Sequence, residues 1–247
     1  MQIVLLTAIG VGAATVIGAI IGFIFKKISH AFSDIVMSFA AGIMLAAAIV
    51  GLILPSLEYG GKFSIVVTIA GIFAGAACVS VLDKLVPHMH NIIETEDQKS
   101  DAFHKVMLFV TAIAMHNLPE GIAAGVGFGT EDVGKAIVIA GGIALQNIPE
   151  GMIIIAPMLS AGISLKKSLL YAMFTGAFEV LGTFIGYFAT GISRAVLPFA
   201  LAFAGGTMLY IISDEMIPET HAHGHERGAT YALLIGFCVM LIMDFVI

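Results

Sequence analysis

Two hexapeptides hold the groups in this chain most able to do chemistry. His116-Asn117-Leu118-Pro119-Glu120-Gly121 and, thirty residues on, Gln146-Asn147-Ile148-Pro149-Glu150-Gly151 set imidazole, carboxamide and carboxylate groups inside long apolar stretches. Glu179 adds a third acid in the next such stretch. On a helix His116 and Glu120 are i, i+4 and share a face, as do Gln146 and Glu150. Asn117 and Asn147 lie one residue round and reach an adjacent position. Pro119 cannot donate to the carbonyl of Met115, nor Pro149 to that of Leu145, so each proline frees an oxygen in the same region. None of the 11 Lys and Arg residues stands beside these acids. Buried carboxylates must pair, protonate or bind a metal, so the counter-charge has to be protons or an incoming cation. Imidazole, carboxylate and amide oxygen together suit Zn²⁺ and its first-row neighbours better than Mg²⁺ or Na⁺. A pure packing role, in which Asn, Gln and Glu join helices by hydrogen bonds, leaves three uncompensated acids and a histidine unexplained.

The elements that position these groups are membrane helices. Of the 247 residues 59% are hydrophobic and only 11% charged, less than half the charge of an ordinary soluble domain at roughly 25%. A helix needs about 20 apolar residues to cross a bilayer, and the chain supplies such stretches almost end to end. The reading is an all-α membrane protein, a single domain over 1–247 with spans at 2–25, 33–54, 64–87, 105–128, 135–159, 168–190, 198–218 and 229–246. The centres of spans 4, 5 and 6 fall near 116, 147 and 179, which puts the three polar clusters at one depth. The start, Met1-Gln2-Ile3-Val4, has no charged leader region, so the first span is expected to be retained. Cys78 and Cys238 lie inside spans and argue against a disulfide framework. The basic residues do not cluster beyond pairs, so nucleic acid is not an expected partner; the lipid bilayer is.

Basic residues also set an orientation. With both termini outside the cytoplasm, the inner ends hold Lys26, Lys27, Lys84, Lys99, Lys105, Lys166, Lys167 and Arg227. The outer ends hold only Lys62, Lys135 and Arg194, and eight against three favours this arrangement. It places the loop 88–104 in the cytoplasm of a multi-pass cell (inner) membrane protein.

The chain also aligns on itself. Residues 15–47 match 179–211 without gaps, with 12 of 33 positions identical, among them Gly18/Gly182, Gly22/Gly186, Gly42/Gly206 and Met44/Met208. Spans 1–2 therefore map onto spans 6–7, five crossings later, so the copies face opposite ways. Inverted repeats characterise secondary transporters, whose substrates bind near the midplane. Spans 4 and 5, with the two hexapeptides, lie between the copies.

HNLPEG followed by QNIPEG, within eight spans arranged three-two-three, resembles the ZIP family of metal transporters, particularly its bacterial GufA-like branch, over essentially the whole chain. The resemblance implies transport of a divalent transition metal into the cytoplasm by alternating access, zinc first, with cadmium, iron or manganese as alternatives. It implies no cofactor, since the metal is cargo. It further implies a midplane, binuclear site. His116, Glu120, Gln146 and Glu150 match the first position, approached by the thioether of Met44. Asn117, Asn147 and Glu179, with Glu120 and Glu150 bridging, match the second. The chain departs from many relatives in having Gln146 where they have His, and Asn147 where they have an acid. Both neutral amides remove ligand strength, most of all at the second position.

Two edge segments are candidates for metal leaving the site. Asp83, His88 and His90 stand at the end of span 3, where relatives of this family receive metal on the cytoplasmic side. Asp214 and Glu215 close span 7, followed by the alternate histidines His221, His223 and His225, a pattern that binds metal weakly. His30, His104, Asp34 and Asp244 read as interfacial or water-reaching. Gly71-x-x-x-Gly75 predicts close helix contact, inside the protomer or in a homodimer. The rival functions are an intramembrane metalloenzyme, which lacks an H-E-x-x-H motif here, and a metal-gated channel.

Overall fold

The computed structural model describes residues 1–25, 29–85, 100–130 and 132–246. Among these it is helical, without strands, as apolar stretches demand when every backbone group must be satisfied within its own segment. Eight long helices follow in order: α1 (Gln2–Phe25), α2 (His30–Tyr59), α3 (Gly61–Lys84), α4 (Ser100–Gly127), α5 (Val133–Ser160), α6 (Leu165–Ile192), α7 (Leu197–Thr220) and α8 (Glu226–Val246). Seven are long and apolar enough to cross a membrane; the other, α4, carries the His116 hexapeptide. The outer surface confirms the class, since Leu6, Phe73, Ile192 and Phe245 are exposed while Asn117, Glu120, Gln146 and Glu179 are buried.

Local chemistry sets the helix ends. Ser29 caps α2 by accepting from the Phe32 amide, and Asp132 caps α5 by accepting from the Lys135 amide. α2 outlasts the expected 54 because Pro55 sits in the first turn of its last stretch, where a missing N–H costs nothing. α4 starts at Ser100, inside the stretch expected as loop. Its interior Pro119, like Pro149 and Pro157 in α5, does not end the helix.

The helices form two groups. α1 packs on α5, α4 on α6, and α1 crosses α6; α2 packs on α8 and α3 on α7. The groups meet along a seam where α2 faces α5 and α4 faces α7.

The repeat is visible in the contacts. Gly12 and Gly176, related by the offset of 164, abut so closely that a methyl group on either would strike the other's carbonyl oxygen. Gly18 lies against the backbone of Ile148 and Gly151 on α5, as Gly182 lies against Leu118 and Gly121 on α4. Each of these pairs is carried onto the other by the repeat. The two π-helical segments obey the same rule: Ala47–Ile53 in α2, shifted by 164, encloses Ile212–Met216 in α7. Gly71 and Gly75 pack on Ala202, Phe203 and Thr207 of α7, so that small-residue face is used inside the protomer.

Candidate metal centre

Glu179 is the best-partnered acid of the three. Its Oε1 accepts from Thr15 Oγ1 and Asn117 Nδ2, and its Oε2 from Asn147 Nδ2, each at 2.6 Å. Donors from α1, α4 and α5 thus converge on one carboxylate of α6, which is fully buried. Thr15 and Glu179 are themselves repeat partners, so this bond lies where the two copies meet. A carboxylate only accepts, so both asparagines must turn their NH₂ groups to it. Their carbonyl oxygens face the other way, buried and without partners.

Those two oxygens belong to a larger set. Glu120 Oε2 and both polar atoms of Gln146 are also buried and unpartnered, while Glu150 is half-buried. Polar atoms left unpaired in the interior each cost about 1–3 kcal/mol, and native structures rarely keep several together. Here they cluster on α4 and α5, at the level of the prolines. Met44 is fully buried in the main apolar cluster, beside Ile43 and Ala47.

His116 reaches toward the other helix group. Its Nε2 lies 3.0 Å from Glu215 Oε1 on α7 and 3.9 Å from Asp83 Oδ1 on α3. His116 and Glu215 lie within ion-pair distance of each other. Asp83, His116 and Glu215 each bring one ligand atom within 4.8 Å of the others, a spacing that one cation spans. Glu215 stands in the π-helical segment of α7, where an extra residue in the turn re-aims the side chains, as such bulges often do at working sites.

The remaining sequence candidates scatter. Asp214 is exposed, one residue from Glu215. His221 is tied down, its Nδ1 to Ile217 O at 2.9 Å and its Nε2 to Thr230 Oγ1 at 3.2 Å. His223 pairs with Asp34, and His225 is exposed in the groove beside α2. His88 and His90 lie outside the described residues. Sequence reasoning missed Thr15, although it is the first position of the internal alignment and stands opposite Glu179 there. It also took Asp34 to reach water, whereas Asp34 is 97% buried.

An eight-helix apolar bundle with an internal repeat and a cluster of buried, unpaired polar atoms at its centre defines a polytopic membrane protein. Residues 86–244 match the family model of the ZIP zinc transporters. The chain is 34% identical to the zinc transporter GufA of Myxococcus xanthus over 239 residues, 94% of each chain. It is also 34% identical to the zinc transporter ZIPB of Bordetella bronchiseptica, over 94% of this chain and 77% of that one. To the zinc transporter ZupT of Streptococcus mutans it is 31% identical, over 96% and 94%. The chain belongs to the ZIP family.

Proposed function

We propose that this protein carries Zn²⁺ into the cytoplasm through one principal position at mid-bundle, built by Glu120, Gln146 and Glu150 and completed by His116. One observation carries the reading: Glu120 Oε2, both polar atoms of Gln146 and the Oδ1 atoms of Asn117 and Asn147 are buried with no protein partner. A dehydrated cation supplies the missing partner for the oxygens among them. Cadmium, iron and manganese compete for the same ligands, because two neutral amides leave the site soft in charge. Met44 is the apolar wall at the seam and a thioether within the same core.

In this reading Glu179 is a positioning residue and not a ligand. Its oxygens are taken up by Thr15, Asn117 and Asn147, and its charge holds the two amide carbonyls toward the metal. The second position is then an incomplete one, formed by Asn oxygens alone.

His116 is the hand-over residue. Its ring sits with Asp83 and Glu215, which come from the other helix group across the seam. A side-chain rotation exchanges the midplane ligands for this second set, which Asp214 continues toward the cytoplasm. Both termini lie outside in this orientation. The test is zinc uptake into liposomes holding the purified protein. Uptake that saturates and follows the zinc gradient supports a transporter. An absence of flux points to a metalloenzyme, and flux that rises without saturating points to a channel.

A further inference from the structure

A cluster of imidazole and carboxylate groups lies between the start of α2 and the α7–α8 connection. His30 and Asp34 are one turn apart at the start of α2, and His223 reaches them from the α7–α8 connection across 189 residues of sequence. Asp34 Oδ1 accepts from His223 Nδ1 at 3.0 Å. Asp34 is 97% buried, and its other oxygen has no partner. The rings of His30 and His223 are neighbours, with centroids 4.9 Å apart and planes tilted by 32°. Both histidines are exposed, so their rings are open to the surface.

Each observation has a bland account: a loop latch for the Asp34 bond, surface stacking for the rings. Together they have a chemical one. An acceptor on Nδ1 fixes the tautomer of His223, leaves the Nε2 lone pair free and raises its basicity, the outer carboxylate arrangement common behind metal-bound histidines. An ion bonded at about 2.0–2.1 Å to one nitrogen of each of two imidazoles in tetrahedral geometry sets the ring centres roughly 5 Å apart, close to the spacing observed. Among the described residues, His223 is the side chain that meets this buried acid. His225, Glu226 and Arg227 line the adjoining groove, and the arginine sets a limit on the charge of the site.

We infer that His30 and His223 form a peripheral site for a divalent cation of the zinc type, with Asp34 as the carboxylate that orients His223. The site joins α2 to the α7–α8 connection, two parts of the same helix group. It is built without Glu120, Gln146 or Glu150 and does not depend on the midplane reading.

The experiment is histidine modification by diethylpyrocarbonate on the full-length protein in detergent, read by mass spectrometry at each histidine, with Zn²⁺ titrated in. His30 and His223 should be protected together at one Zn²⁺ concentration. His30→Ala should remove the protection of His223, and Asp34→Asn should raise the Zn²⁺ needed by about 10–100-fold, the usual effect of losing an outer carboxylate. Glu120→Ala, which empties the midplane position, should leave the protection unchanged. His30→Ala alters an exposed residue, so a folding defect does not blur the result. The inference is overturned if Zn²⁺ leaves His223 as reactive as before, if His223 stays protected in His30→Ala, or if Glu120→Ala abolishes the protection.

Discussion

Glu179 shows how a carboxyl group is held inside an apolar bundle. Three neutral donors at 2.6 Å replace the water it has lost. The acids themselves were legible in the sequence, because any ionisable residue stands out in an apolar run. Their partners were not. Thr15 is one more small polar residue on an apolar helix until the fold brings it against Glu179, and the direction of His116 depends on Asp83 and Glu215, far off in sequence. Thr15→Val removes one donor at constant volume. It should raise the KM for zinc by about 10-fold, the lower end of what an outer partner contributes, with kcat little changed, and Thr15→Ser should restore it. Glu179→Gln sets an amide group against the donor of Asn147 and should slow uptake without ending it. Measured uptake kinetics decide both, and a Thr15→Val protein with unaltered KM would remove Thr15 from the site.

Helices α1 and α6 depend on glycine at their crossing. A side chain at Gly12 or Gly176 meets backbone, which has nowhere to move, whereas Gly10 and Gly191 have nothing within 4 Å. Gly176→Val should cost about 1–3 kcal/mol as overpacking does and lower the melting temperature in detergent, while Gly10→Ala should leave it unchanged. Equal melting of the two variants would show that the crossing is not tight. Hydropathy was enough to find the helices, because a bilayer span writes itself as a long apolar run. The two π-helical segments left no such mark. Ala47–Ile53 and Ile212–Met216 are ordinary helical sequence, and only their shared place in the repeat gives them away. Asp34 was misread for a related reason: a residue four positions into a helix looks exposed until the α7–α8 connection folds over it.

Across the whole molecule the contacts divide the chain where a transporter would need to move. α1, α4, α5 and α6 hold Glu120, Glu150, Glu179 and the donors around them, so they must travel together to keep a cation coordinated. α2, α3, α7 and α8 offer the apolar Met44 wall and the acids Asp83 and Glu215. His116, from the first group, reaches those acids across the seam, and this is the contact that rocking of one group against the other would make and break. Single cysteines beside His116 and Glu150, in a protein lacking the exposed Cys78 and Cys238, should react from both sides of the membrane, in proportions that zinc changes. Reaction from one side alone, with transport intact, would replace rocking by a fixed path. The claim on which the rest stands is that cargo passes through the carboxylates of α4 and α5. Its most direct test compares zinc uptake by liposomes holding equal amounts of folded wild-type, Glu120→Ala and Glu150→Ala protein. The account predicts saturable uptake by the wild type and none above empty liposomes by either variant, because each loses a ligand that contacts the ion rather than an outer partner worth only about 10–100-fold. Uptake near the wild-type rate in both variants would contradict it.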